Sequence, residues 1–196
     1  MTGKTHITVG IVAGLTLATG YSLESGIILT AASAIGSLIP DLDHPRSKIN
    51  QRVLLFKNRL FKIITYSCTG AGLIYLGSLL DPSINKMLRL LGFALILVGI
   101  SRHRGFTHSL LGLVLFSTVV YIGTSEINVH EAYVGFIVGY VSHLALDIIT
   151  TQGIELLFPI KKNIRLPLNI RTNPAIERII VATSGIYLGY VLLQYI

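Results

Sequence analysis

The sequence predicts an all-α fold: a polytopic transmembrane helical bundle of about seven spans, with a metal site at its cytoplasmic end. Three observations predict it. Only 13% of the 196 residues are charged, about half of the roughly 25% carried by an ordinary soluble domain. The apolar residues make up 52% of the chain and fall in long uninterrupted runs. Histidines and aspartates gather where those runs end, on one side only. The charge deficit excludes a disordered chain and a water-soluble two-layer enzyme. A single cysteine excludes a disulfide scaffold.

The predicted spans are Ile7–Leu23, Gly26–Pro40, Ile63–Leu80, Met87–Ser101, Ser109–Thr124, Ala132–Thr150 and Ile179–Ile196. Each lies at or just below the roughly 20 residues that carry a helix across the hydrocarbon core. The shorter ones borrow a polar turn at each end, or the bilayer thins around them. Small residues such as Gly10 and Gly14 let helices approach closely in lipid. Cys68, inside the third span, is expected to be a buried thiol. No cleavable signal peptide is expected, because Lys4 alone precedes the first run and no small-residue cleavage site follows it. Residues 1–196 then form a single transmembrane domain.

Charge sets the expected orientation. With alternating spans, one side receives fourteen of the sixteen Lys and Arg residues, and the other receives only Lys86 and Arg89. This positive-inside bias predicts a multi-pass protein of the inner (cytoplasmic) membrane, with its N-terminus in the cytoplasm and its C-terminus outside. The net charge of +7 reflects that bias, and no folded basic domain suggests nucleic-acid binding. Two cytoplasmic basic interfacial loops, residues 41–62 and 151–178, carry most of it. From Lys48 to Leu60 cations interleave with apolar residues at roughly helical spacing, suited to a helix lying on an anionic leaflet. The segment Glu155–Arg171, with Pro159, Pro167 and the alternation Ile164-Arg165-Leu166, reads as an irregular interfacial loop or a short hairpin. Both segments serve equally well as plain topology anchors, and either could guide a charged lipid headgroup.

Five of the six histidines, His6, His44, His103, His108 and His143, fall at predicted cytoplasmic helix ends with Asp41, Asp43 and Asp147. Lys and Arg alone set the topology, so this segregation is an independent check on it. His130 is on the other side, beside Glu131, and reads as a solvated loop residue. His143 and Asp147 are four apart on one helix and share a face. Asp41, Asp43 and His44 crowd a turn between Pro40 and Pro45, and a glycine-containing turn places His103 and His108 at its ends. An acid at Asp147, inside a span, is costly unless paired. Imidazole and carboxylate without thiolate suit Zn²⁺, with Mn²⁺ or Fe²⁺ also possible, as one to three ions. His6 and Asp41 are 35 positions apart, as are His108 and His143, which suggests two parallel repeats bringing ligands to a shared centre.

At Thr5-His6, Pro40-Asp41-Leu42-Asp43-His44, His103-Arg104-Gly105-Phe106-Thr107-His108-Ser109 and Gly139-Tyr140-Val141-Ser142-His143-Leu144-Ala145-Leu146-Asp147, with Gly153 and Pro159 in the tail, the sequence resembles a known family. This is the YdjM-like family of bacterial and archaeal inner-membrane, metal-dependent hydrolases, also labelled LexA-binding membrane-associated hydrolases. The resemblance runs from the N-terminus to about Pro159. It implies a helical enzyme distantly related to zinc-dependent phospholipases C and single-strand nucleases, which use clustered zinc on phosphoesters. Those enzymes take an N-terminal tryptophan as a ligand, and this chain has no tryptophan.

The expected activity is hydrolysis of a membrane-lipid phosphoester at the cytoplasmic leaflet by metal-activated water. The expected ligand pool is His6, Asp41, Asp43, His44, His103, His108, His143 and Asp147. An aspartate not used as a ligand, Asp43 or Asp147, serves as general base. Arg102 and Arg104 hold the phosphate, or simply anchor the topology, while Thr107 and Ser142 orient histidines. Expected partners are membrane lipids, anionic ones first, with a protein partner also possible. Two rival readings are a non-catalytic metalloprotein scaffold that binds a regulator, and a metal or proton transporter.

Overall fold

The computed structural model describes residues 1–80, 82–166 and 173–193. Seven long helices and one short one follow in order: α1 Gly3–Ala18, α2 Leu23–Gly36, α3 Asn50–Val53, α4 Arg59–Ser78, α5 Pro82–Ile100, α6 Leu110–Ser125, α7 His130–Ile149 and α8 Pro174–Leu193. Two 3-10 turns, Pro40–Asp43 and Phe106–His108, carry sequence motifs. Each predicted span coincides with one long helix, so the all-α reading holds. Among the described residues, extended pairing is limited to a single bridge of Ile154 with Ile164, across the segment expected to be an irregular loop or a short hairpin. The part of that predicted segment from Pro167 to Arg171 lies outside the described residues, as do the last three residues of the seventh predicted span.

Among the described residues, three helical stretches are long and apolar enough to cross a bilayer: Leu23–Asp43, Arg59–Ser78 and His130–Ile149. Large apolar side chains face outward on them, as Ile27, Ile35, Tyr75 and Val141 do, and on other helices, as Val114 and Ile186 do, a burden that hydrocarbon removes and water would not. Capping sets where helices begin. Asn58 accepts a hydrogen bond from the Phe61 N–H at 2.9 Å, so α4 opens a turn before its apolar run and takes in Arg59 and Lys62. Asn173 likewise accepts from the Ala175 and Ile176 N–H groups and starts α8 before Ile179.

The chain divides into two compact units. The first comprises Met1–Ile39, Val129–Ile154 and Asn163–Ile196; here α2 packs on α7 and α1, and α1 also packs on α7 and α8. Close approach of α2 and α7 depends on Gly139, where an added Cβ would collide with the Ser33 carbonyl. The second unit comprises Pro40–Asn128 and Glu155–Lys162. In it α4 and α5 cross with Gly70 and Gly92 face to face, each leaving no room for a Cβ beside the other's carbonyl.

Three expectations change. Cys68 is exposed, because the buried stripe of α4 runs through Lys62, Tyr66, Gly70 and Gly77, and Cys68 falls off it. The Lys48–Leu60 segment does not form one amphipathic helix: only Asn50–Val53 is helical, and the rest is an irregular loop. His130 is exposed as expected, but it opens α7 and does not sit in a loop.

Candidate metal centres

Among the described residues, two groups of side chains could hold a metal, one in each unit: His6 with His143 and Asp147, and Asp41 with His103 and His108. Within each group, ligand atoms lie within 4.8 Å of one another.

The first group is closed. His6 sits in the first turn of α1, while His143 and Asp147 share one face of α7; their relative exposures are 1%, 0% and 2%. Asp147 lies 3.5 Å from both imidazoles, Oδ1 from His6 Nε2 and Oδ2 from His143 Nε2. Those separations exceed the 2.7–2.9 Å range typical of charge-assisted hydrogen bonds. They match the roughly 3.4 Å between ligand atoms of a tetrahedral ion with bonds of about 2.1 Å. The rings of His6 and His143 stack at 3.7 Å with a 15° tilt. The N-terminal amine of Met1 lies 3.8 Å from Asp147 Oδ1.

One bond fixes the tautomer here. His143 Nδ1 lies 2.7 Å from the Ser37 carbonyl oxygen just past the end of α2, and a carbonyl can only accept. The proton therefore sits on Nδ1, and in the neutral ring Nε2 keeps the lone pair a metal needs. Ser142, expected to orient a histidine, instead donates to Gly139 O on its own helix at 2.7 Å. Ser37 takes that place through its main chain, which no side-chain pattern reveals.

The second group is open. Asp41 and His103 are accessible, with 36% of the His103 side chain exposed, while His108 is buried. Behind it lies Asp43, which is 1% exposed. Its Oδ1 accepts from His103 Nδ1 at 2.8 Å, and its Oδ2 accepts from the Arg104 N–H at 3.0 Å and the Thr107 hydroxyl at 2.7 Å. His108 Nδ1 stands 3.2 Å from the same Oδ2 and 3.1 Å from Thr107 Oγ1. One carboxylate thus faces the Nδ1 edges of two imidazoles and leaves both Nε2 atoms for a ligand role. Thr107 thus lies between Asp43 and His108, its hydroxyl within hydrogen-bond distance of both. His44 packs edge-on against His103 with ring centroids 4.6 Å apart, and its partial burial beside that ring holds its pKa below the usual imidazole value.

The turn carrying these groups is strained. Arg104 has φ 67°, a left-handed conformation that costs a residue with a side chain roughly 1–2 kcal/mol. Its backbone is clamped on both sides, its N–H by Asp43 and its carbonyl by the Glu155 N–H at 3.0 Å. Arg102 is exposed at the same turn. Lys62 supports the site in a way its loop-like appearance in the sequence hides. It is 1% exposed, and its ammonium donates to the carbonyls of Asp43 at 2.8 Å, Val98 at 3.0 Å and Ser101 at 2.8 Å.

The repeat spacing reappears in exchanged form. His6 and Asp41 are one spaced pair and His108 and His143 the other, yet His6 meets His143, and Asp41 meets His108. Each group therefore takes one member from each pair.

These features define a helical membrane protein with two histidine–aspartate groups that could hold a metal ion. The chain belongs to the YdjM inner membrane protein family, whose model matches residues 1–196. It is 33% identical over 184 residues to the Bacillus subtilis (strain 168) "Uncharacterized protein YvsG", covering 93% of this chain and 88% of that one. It is 26% identical over 142 residues to the "Inner membrane protein YdjM" of Escherichia coli (strain K12), covering 71% of this chain and 54% of that one, and matches the Shigella flexneri protein of the same name equally. No solved structure matches it.

Proposed function

We propose that the protein is a membrane-embedded, metal-dependent hydrolase that cleaves a phosphoester of a membrane lipid at the cytoplasmic leaflet. The observation that carries this reading is Asp43, whose carboxylate faces the Nδ1 atoms of both His103 and His108 in the only accessible group of this kind among the described residues. The donor set fits a divalent ion, zinc first: neutral imidazoles with fixed tautomers, a carboxylate and no thiolate. Such an ion lowers the pKa of a water and neutralises charge on a phosphoryl oxygen.

Asp41, His103 and His108 would hold the ion. Asp43, whose two oxygens already accept hydrogen bonds, orients the rings and does not itself ligate. Arg102 and Arg104 flank His103 and would hold the phosphate by charge-assisted hydrogen bonds. The closed group His6, His143 and Asp147 suits a second ion shielded from exchange.

A lipid-product screen of the purified protein tests this, run with and without chelator and on the His103→Ala variant. Released phosphate or phosphoalcohol that vanishes with chelator and in the variant supports it. Absence of product from the metal-replete parent across the common phospholipids contradicts it.

A further inference from the structure

The loop between α3 and α4 has a surface that a metal site does not explain. Leu54 is buried at 2% exposure and pins the loop to its own unit, while its neighbours turn outward: Val53 is 53% exposed, Leu55 74%, Phe56 53% and Leu60 63%. Phe56 and Phe61 pack ring to edge at 4.5 Å. Lys57 and Arg59 lie between these apolar side chains and Arg52 just before them, all exposed, with exposed Arg46 and Lys48 shortly upstream. No Asp or Glu occurs from His44 to Leu80. Apolar side chains that project among uncompensated cations match one surface chemistry, a leaflet whose acyl region lies beneath anionic headgroups.

We propose that residues 52–60 form a headgroup-level anchor that inserts Val53, Leu55, Phe56 and Leu60 into a leaflet of anionic phospholipid. The anchor is rigidly joined to the turn that bears the open group. Asn50, at the root of the loop and 0% exposed, donates through Nδ2 to the carbonyls of Leu42 and His44, each at 2.8 Å. Its Oδ1 accepts from the Tyr66 hydroxyl at 2.6 Å. Leu42 lies between Asp41 and Asp43, so the depth at which the loop rests fixes the depth of Asp41 relative to the lipid phosphates. The insertion itself is independent of the catalytic reading; only its use for presenting a lipid to the site rests on it.

The absence of tryptophan from the chain makes the test direct. Phe56→Trp places a lone tryptophan, excited selectively over the tyrosines, at the tip, and Leu55→Trp provides a second probe at the most exposed of the four positions. Each protein is reconstituted into nanodiscs containing brominated lipid of either anionic or zwitterionic headgroup, at equal mole fraction. The expected result is blue-shifted emission, sheltered from aqueous acrylamide and strongly quenched by brominated lipid, more by the anionic form. Adding Arg52→Gln, Lys57→Gln and Arg59→Gln should abolish the preference for the anionic form. Emission accessible to acrylamide and unaffected by brominated lipid overturns the proposal. So does emission sheltered from both, which would mean that protein, such as a second copy of this chain, covers the loop. Equal quenching by both lipid types in the parent overturns the anionic assignment.

Discussion

The two histidine–aspartate groups differ in how they are enclosed. His6, His143 and Asp147 lie buried against small-residue contacts between α1, α2 and α7, and the His143 tautomer is set by a main-chain carbonyl. Asp41, His103 and His108 grade from accessible to buried, and their imidazoles are set by the side chain of Asp43. The closed group is thus part of the packing of its unit, so its loss should appear as lost stability. The open group is held from behind, so it can lose a ligand while its unit stays folded.

The sharpest way to break this contrast is to attack the support behind the open group. Lys62→Met strands the carbonyls of Asp43, Val98 and Ser101 and should lower stability by about 3 kcal/mol or more, read as a large drop of the thermal midpoint in detergent. Gly139→Ala in the first unit forces α7 away from Ser33 and should cost roughly 1–3 kcal/mol by the same measurement. Asp43→Asn keeps the shape but replaces an acceptor-only carboxylate with a group that also donates. It should weaken metal binding at the open group about 10–100-fold in a competition titration, while the helical circular dichroism is unchanged. His103→Ala removes a partly exposed ring but leaves Asp43 Oδ1 without its 2.8 Å donor, so it should cost about 1–3 kcal/mol, less than Lys62→Met, yet abolish metal binding at that group. If His103→Ala were as destabilising as Lys62→Met, the distinction between an open group and a packed one would fail.

The helices were legible because each is an apolar run of near-membrane length, and the site because His and Asp are scarce and gather at run ends. What remained illegible depends on atoms that a residue pattern does not carry. Asp41 and Asp43 look interchangeable in the sequence, but the 3-10 turn Pro40–Asp43 buries Asp43 behind the imidazoles and leaves Asp41 partly accessible. Lys62 read as a loop cation because hydropathy placed the start of α4 at Ile63; the Asn58 cap starts it at Arg59. Ser37 acts through its carbonyl, so its side chain gave no sign of it. The exchanged pairing of His6 with His143 is set by how α1 packs on α7, which the 35-residue spacing alone does not encode.

Metal stoichiometry tests the proposed pair of centres most directly: elemental analysis of the parent protein beside His143→Ala and His103→Ala, all purified without chelator. Two divalent ions per chain in the parent and one in each variant is the expected result. A parent free of bound metal, or variants that both keep its full complement, would contradict it.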